Sequence, residues 1–245
     1  VKWNIDPQRL QLSSGLWQRR NYAGNVAVGG GDLQMTNLWQ DPTGDGFGYT
    51  NALVWSRTAR QRFGYWEARM KMADYEGVDN AFWMYSAPGL QHANLDIFEI
   101  DAVEAFTTPD NKWQVGVIDH DPEPNVVHSG TTNAGFDMAQ AYTVVGMEWG
   151  TDNRVRFFRN GVQVFEVTPA QMNARRSMIP LSTILSTMQW TPSYVAAADG
   201  SQARVDWVRA YQKPGWVGGS GAAWTTAANW GPDGVPGAGR AAMFN

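Results

Sequence analysis

The sequence predicts an all-β fold, an antiparallel sandwich of short strands, and three observations support this. Short runs rich in β-branched and aromatic residues recur along the chain and are separated by turn residues. Helical periodicity is nearly absent, and only TPAQMNARR, with Thr168 before Pro169, suggests a single helical turn. The pair Asn160-Gly161 between two strand-like halves predicts a tight hairpin. Many short strands joined by turns are typical of such a sandwich.

Each strand is expected where apolar or β-branched residues cluster between turn signals. The hairpin strands flank Asn160-Gly161, and the others follow the same composition rule. In chain order the expected strands lie in GYTNALVWS, GYWEARMKM, AFWMYS, LDIFEIDAVEAF, WQVGVIDHD, AYTVVGMEW, RVRFFRNGVQVFEV, IPLSTILSTMQW and QARVDWVRAYQ.

The composition excludes several classes of protein. The chain has 245 residues, 43% of them hydrophobic and 17% charged, which is typical of a globular protein with one large core. Its net charge of -4 lacks the basic footprint of a nucleic-acid binder. The absence of cysteine excludes a disulfide scaffold, a zinc-thiolate site and a thiol nucleophile. No apolar run approaches the roughly 18 residues of a membrane span.

The composition changes near Pro214, which divides the chain into two expected regions. Residues 1–213 are expected to form one catalytic domain, while 214–245 is rich in Gly, Ala and Pro and holds only two charged residues, Asp233 and Arg240. This tail is either a linker with a terminal extension or the first turn of a truncated repeat module. The first residues, VKWNIDPQ, lack Met, which we interpret as a processed or engineered start.

The stretch LDIFEIDAVEAF carries three acids in a segment that otherwise predicts a buried strand. Burying one unpaired carboxylate is costly, and crowding three together costs more. Because side chains alternate along a strand, Glu99 and Asp101 share one face, whereas Glu104 stands at an odd offset and would point away. One extra residue, a β-bulge at Ala102-Val103, would restore parity and gather all three acids on one face.

Two carboxylates in different environments are what glycoside hydrolysis requires, one as nucleophile and one as proton donor. Four strand steps span about 13 Å, and the side chains of Glu99 and Glu104 can lean together towards the separation of about 5.5 Å that a retaining mechanism uses. Asp101, placed between them, is expected to repel a second negative charge and to raise the pKa of the acid. From spacing alone, three solvated acids on an exposed strand remain an alternative.

Several dispersed segments resemble glycoside hydrolase family 16, a family of curved β-jelly-roll sandwiches that includes laminarinases, agarases, carrageenases, porphyranases and lichenases. The bulged signature E-x-D-x-x-E stands here as Glu99-Ile100-Asp101-Ala102-Val103-Glu104. The resemblance runs from about Asn25 to Gln212 and also rests on FGYWEARMKM, NAFWM, YTVVGMEW, FFRNGVQV and ARVDWVRAYQ.

The resemblance implies roles for the three acids: Glu99 as nucleophile, Glu104 as general acid/base and Asp101 as the assisting residue between them. Two departures bear on the substrate. Where laminarinase-like sequences have a Trp-Pro-x-x-Gly run before the first acid, this chain has GLQHANLDIF. The usual His before the TYGLEW-like strand is also absent, since Gln140 and Ala141 stand there. We therefore favour a galactan over a β-1,3-glucan.

The resemblance also points to residues that would bind sugar. Aromatic rings stack on the apolar C–H faces of sugars, and polar side chains bond their hydroxyls. His120 could hydrogen-bond a sugar or the nucleophile, and Arg57 could meet a hydroxyl or a sulfate. The substrate-binding residues expected on this basis are Trp83, Trp190, His120, Asn80, Trp149 and Arg57.

The chemistry itself requires no cofactor, but the family often carries a structural calcium away from the active site. Its carboxylate ligand would match Asp206, with a backbone oxygen near Gly31. We expect a secreted or cell-surface bacterial protein, a monomer whose partner is a polysaccharide and that binds neither nucleic acid nor a membrane.

The function expected from the sequence is an endo-acting, retaining glycoside hydrolase. Its substrate would be an algal galactan of the agar, porphyran or carrageenan type, or a β-1,3-glucan. One alternative is a transglycosylase of the same fold, which passes the covalent intermediate to a sugar rather than to water. The other is a lectin-like sandwich that binds glycan without cleaving it, although binding alone would not need three clustered carboxylates.

Overall fold

A computed structural model of the chain describes residues 3–5, 9–11, 18–40, 50–74, 78–86, 98–106, 112–120, 126–172, 180–189, 199–211, 215–216 and 230–231. These residues are mostly in β-strands, which confirms the all-β prediction. A single 3-10 turn, Ala23–Asn25, is present in this part of the chain. The strands are β1 (Trp3–Ile5), β2 (Arg9–Gln11), β3 (Gln18–Asn21), β4 (Val26–Gly29), β5 (Asp32–Thr36), β6 (Thr50–Gln61), β7 (Gly64–Lys71), β8 (Val78–Tyr85), β9 (Phe98–Phe106), β10 (Lys112–Asp119), β11 (Val126–Asn133), β12 (Thr143–Trp149), β13 (Val155–Arg159), β14 (Val162–Val167), β15 (Leu181–Gln189), β16 (Gln202–Tyr211), β17 (Gly215–Trp216) and β18 (Trp230–Gly231).

Two large sheets make up the sandwich. The first has the order β11-β10-β9-β8-β15-β6-β3-β2, with β1 also paired to β6, and the second has the order β14-β13-β12-β7-β16-β5-β4. Pairing is antiparallel except between β3 and β6. The late strands β15 and β16 each insert into the middle of a sheet, so spatial neighbours are far apart in sequence. This is the jelly-roll topology.

One hydrophobic core lies between the two sheets, and strand alternation explains how it forms. In β7 the residues Trp66, Ala68 and Met70 are buried, and the residues between them point outwards. The inner faces of β8 and β9 meet them with Phe82 and Ile100, both fully buried. Removing this much apolar surface from water is the main source of stability in such a fold.

The β13–β14 hairpin confirms the turn predicted at Asn160-Gly161. Both residues have positive φ, 46° and 78°, as a two-residue hairpin loop that matches the strand twist requires. The side chain of Asn160 also accepts a hydrogen bond from the backbone N–H of Val144 at 2.9 Å. The helical turn expected in TPAQMNARR is described only as far as Met172. In this part the N–H of Met172 donates to the carbonyl of Thr168 at 3.2 Å, as in one turn of a helix.

Every strand expected from the sequence is present, while β1 to β5, β11, β17 and β18 were not expected. In the Gly/Ala/Pro-rich tail only the short pair β17–β18 is described. The proposed repeat module in residues 214–245 therefore lies almost wholly outside the described residues, and the domain boundary stays a prediction. Within the described residues, no helix has the length and apolar character needed to span a membrane.

Candidate active site

A β-bulge interrupts β9, an interior strand of the first sheet, at the position expected from the spacing of its acids. On the β8 side, Phe82 pairs with Val103 and the next residue, Trp83, pairs with Asp101. Ala102 is therefore the extra residue. The register with β10 shifts at the same point. The predicted bulge at Ala102-Val103 is confirmed.

The bulge places all three acids on one face of the first sheet. Their partners on β8 are alternate residues of an unbroken strand, so the three side chains must share its outer face. The residues between them, Ile100 and Val103, are fully buried in the core. We call this surface the acid face, defined by Glu99, Asp101 and Glu104. The cross-strand partners of these acids on β8 are Tyr85, Trp83 and Ala81.

Glu104 has the electrostatic character of a proton donor. Burial, followed by the negative charge of Glu99, raises the pKa of Glu104 from 4.5 to about 7. At neutral pH the group is thus close to half protonated. A carboxyl group in this state can give a proton in one step and take one back in the next.

Asp101 is the most deeply buried of the three acids. It is 2% exposed, and burial, then the charges of Glu99 and Glu104, raise its pKa well above the usual range. The charges of Asp101 and Glu104 repel each other, and whether this repulsion also raises the pKa of Glu104 stays a prediction. A side-chain hydrogen bond between Asp101 and Glu99 also raises the pKa of Asp101, and this bond favours a proton on Asp101.

Glu99 is held from a second side by His120, the residue directly after β10. Nε2 of His120 lies 2.7 Å from Oε2 of Glu99, and both side chains are only partly exposed. This contact matches the predicted alternative in which His120 bonds the acid rather than a sugar. Asp101 and His120 together fix the orientation of the Glu99 carboxylate.

Aromatic side chains continue the acid face away from the carboxylates. Trp83 is half-buried opposite Asp101, and its Nε1 donates to Oγ of Ser186 at 3.2 Å. The ring of Tyr85 lies 5.4 Å from that of Trp83. Trp55 on β6 packs against the same small cluster. We did not single out Tyr85 or Trp55, although the two-residue spacing of Trp83 and Tyr85 in AFWMYS could have indicated a shared face.

Two of the expected sugar-binding residues are structural instead. Asn80 is fully buried, where its Oδ1 accepts from the N–H of Ala73 at 2.8 Å and its Nδ2 donates to the carbonyl of Ala105 at 3.3 Å. Trp149 is also fully buried in the core, 5.0 Å from the ring of Phe63. Neither side chain can reach a polysaccharide, so both predictions are wrong. Alternation along β8 and β12 turns these residues inwards.

Two other expected residues have different outcomes. Arg57 is exposed on β6 and follows Trp55 at a two-residue spacing, which is compatible with a position beside the acid face. Trp190 lies outside the described residues. Sugar contacts by Trp83, Trp190, His120 and Arg57 therefore stay predictions.

The described residues do not complete a calcium site at Asp206 and Gly31. The carboxylate of Asp206 pairs with the guanidinium of Arg69 at 2.5 Å, a cation where calcium would need a free oxygen. Gly31 is exposed in the β4–β5 turn. No group of three His, Cys, Asp or Glu side chains suited to a metal occurs among the described residues. Calcium at this position stays a prediction from resemblance.

Comparison with known proteins identifies the family. Residues 2–213 match the sequence model described as "Beta-porphyranase A-D, GH16 domain". Beta-porphyranase E of Zobellia galactanivorans is 27% identical over 209 residues, which cover 77% of this chain and 74% of that protein. Beta-porphyranase B of Phocaeicola plebeius is 24% identical over 235 residues, which cover 78% and 73%.

Solved structures agree on the fold. A β-1,3-1,4-glucanase (lichenase) derived from a mouse hindgut metagenome superposes with a TM-score of 0.70, at 18% sequence identity, over 85% of this chain and 92% of that one. The likeness at this identity concerns the jelly roll alone. Together with the match over residues 2–213, it shows that the chain is a glycoside hydrolase and belongs to the β-porphyranase A–D group of family 16.

Proposed function

We propose that the chain is an endo-acting, retaining hydrolase of a β-linked, porphyran-type algal galactan. The bulge at Ala102 is the observation that carries the proposal, because it brings Glu99 and Glu104 to one face of the sheet. The porphyranase group to which the chain belongs, and the missing laminarinase run, support the galactan. The residues of that departure, 89–94, lie outside the described part of the chain.

Glu99 is the nucleophile in this proposal. Its carboxylate attacks the anomeric carbon, and the bond to the leaving sugar oxygen breaks as Glu104 gives that oxygen its proton. The result is a covalent glycosyl ester on Glu99. Asp101 and His120 hold the carboxylate in the attacking orientation before the substrate arrives.

Glu104 then acts in the opposite direction. Once ionised, it takes a proton from a water molecule, which attacks the anomeric carbon and releases Glu99. Its pKa of about 7 suits both tasks, because the protonated and ionised forms are of similar free energy near neutral pH. Two successive inversions retain the anomeric configuration.

The proposal extends to where the protein works. A polysaccharide cannot cross a membrane intact, so an endo-acting enzyme on such a polymer is expected to act outside the cell or at its surface. We infer a monomer, since one chain carries all three acids.

The test is a reducing-end assay on porphyran, agarose, κ-carrageenan, laminarin and lichenan. We expect release from porphyran, a mixture of chain lengths typical of internal cleavage, and an initial product with the β-anomer by NMR. Preferential release from laminarin would overturn the galactan assignment, and an initial α-anomer would overturn retention. Product lengths measured with added oligosaccharide separate hydrolysis from sugar transfer.

A further inference from the structure

The outer face of β7 and β16, on the opposite side of the sandwich from the acid face, carries an ordered ladder of cross-strand pairs. These two strands are antiparallel neighbours in the second sheet. Their outward residues alternate with the buried core positions of β7. The ladder consists of the pairs Tyr65–Tyr211, Glu67–Arg209, Arg69–Trp207 and Lys71–Arg204.

The first three rungs are matched. The rings of the tyrosine rung lie 6.1 Å apart, and both hydroxyls donate to the carboxylate of Glu67. Arg209 lies 3.6 Å from that carboxylate. Arg69 pairs with Asp206, the bulged residue beside the third rung. Opposite charges or aromatic faces meet at each of these positions, as expected for a stable sheet surface.

The fourth rung places two cations directly opposite each other. Lys71 and Arg204 are Cα partners, and no described residue forms an ion pair with either of them. Nε of Arg204 donates at 2.9 Å to the side chain of Gln202, which is neutral. Like charges at opposed positions destabilise a sheet, so this rung has no benefit for folding.

An open pocket of about 430 Å³ lies at this rung, a volume within the range of small-ligand sites. Lys71, Arg204, Ser201 and Gln140 contribute to its wall. Asp74 is the single carboxylate on the described wall, and it already accepts a hydrogen bond from Nε2 of Gln140 at 3.0 Å. Two cations and one engaged carboxylate leave an excess of positive charge directed at the cavity.

The charge of the ladder contrasts with that of the whole protein. Its two strands present four cations and two carboxylates on the outer face, a net charge of +2, whereas the chain carries -4. The four cations are Lys71, Arg69, Arg204 and Arg209, and the two carboxylates are Glu67 and Asp206. After the ion pairs are counted, the excess resides in the fourth rung. An oxyanion between its two cations would remove their repulsion.

We propose that the Lys71–Arg204 pocket binds a sulfate ester of the polysaccharide chain, as a second binding site on the face opposite the acids. The planar guanidinium of Arg204 can hold two sulfate oxygens, and the ammonium of Lys71 supplies the opposing charge. The choice of a sulfated galactan rests on the proposed function. A second contact of this kind keeps the enzyme on a polymer while the acid face cleaves it.

The experiment measures binding to porphyran and to neutral agarose by affinity electrophoresis. The full chain carries Glu99→Gln to prevent cleavage, alone or combined with Lys71→Gln, Arg204→Gln, Lys71→Arg or Arg209→Gln. We expect each Gln variant of the fourth rung to weaken binding to porphyran about 10-fold, the loss of one charge-assisted hydrogen bond. Lys71→Arg should retain binding, and agarose should show no difference. Arg209→Gln changes the net charge equally on the same face and should have little effect.

Thermal unfolding shows whether a variant has lost binding or has lost stability. It also shows whether the pocket binds free sulfate rather than the polymer. Lys71→Gln should leave the Tm unchanged or higher, because it removes a repulsion. A large fall in its Tm, or an equal loss in Arg209→Gln, would overturn the site. So would stabilisation by sodium sulfate without any effect on porphyran binding, or equal binding to the carboxylated polymer polygalacturonate. Hydrolysis plays no part in these measurements, so an absence of porphyran cleavage would overturn the proposed function and leave the binding result interpretable.

Discussion

On the acid face, three carboxylates stand within one strand and share a single basic neighbour, His120, among the contacts described above. On the outer face of the second sheet, carboxylates are matched with guanidinium groups: Glu148 with Arg156 at 3.0 Å, and Glu166 with the same arginine at 3.2 Å. Glu99 and Glu148 have equally exposed side chains, 15% each, so burial does not distinguish them. Their partners do.

This difference teaches how a fold separates stability from chemistry. Each ion pair on the second sheet contributes modestly to the free energy of unfolding. The gathered acids raise one another's pKa values, as seen in Asp101 and Glu104. Their repulsion costs folding free energy and does not stabilise the fold. Such strained clusters of titratable groups are typical of active sites.

The difference between the two faces is tested most directly at Glu99 and Glu148, whose side chains are equally exposed. Glu99→Gln should lower kcat at least about 1,000-fold, because it removes the proposed nucleophile. Its Tm should be unchanged or higher, since a like charge is lost. Glu148→Gln should keep its activity and lose about 1 kcal/mol of stability with the Arg156 pair. Reducing-end assays and urea unfolding measure both effects, and a fully active Glu99→Gln variant would refute the assignment.

Trp149 and Trp83 test whether the core-facing sides of the strands provide stability while the acid face provides substrate contacts. Trp149→Ala should lower the free energy of unfolding by about 3–5 kcal/mol, because it opens a cavity in the core. Trp83→Ala, on the acid face, should cost at most about 2 kcal/mol and should raise KM. Urea unfolding and steady-state kinetics provide the two readouts. Equal stability losses in both variants would contradict the separation of the faces.

The pH dependence of stability tests the state of Glu104. Its folded pKa of about 7 exceeds 4.5, so the native state holds a proton that the unfolded state releases between these values. Wild type therefore loses about 3 kcal/mol from this group as pH rises from 4.5 to 7. Glu104→Gln lacks this loss: it should match wild type below pH 4.5 and be more stable above pH 7. Unfolding free energies at pH 4, 6 and 8 would show it, and a constant difference would count against the raised pKa.

The smallest expected effect concerns His120. Replacing it with Ala removes a hydrogen bond to a charged group and should lower kcat about 10- to 100-fold with little change in KM. Gln at this position can still donate and should recover part of the rate. The kcat-against-KM split is the measurement, and a change confined to KM would indicate that His120 binds sugar instead.

Much of the fold could be predicted because its signals are local. Alternation in GYWEARMKM predicts β7, and Asn160-Gly161 predicts the hairpin, since both depend on neighbouring residues only. Parity alone located the bulge between Glu99 and Glu104. Residues such as Trp149 and Asn80 were misplaced because an aromatic or amide side chain suits a core as well as a sugar site.

By itself, the sequence determined most of the strands and the bulge that gathers the three acids on one face, because strand periodicity and the odd spacing of Glu99 and Glu104 admit few arrangements. Tertiary structure alone decided which acids have raised pKa values, since burial is the largest cause of the shift in both Asp101 and Glu104. It also decided the partners of distant residues. Lys71 and Arg204 are 133 positions apart in the sequence and meet only because β16 inserts beside β7.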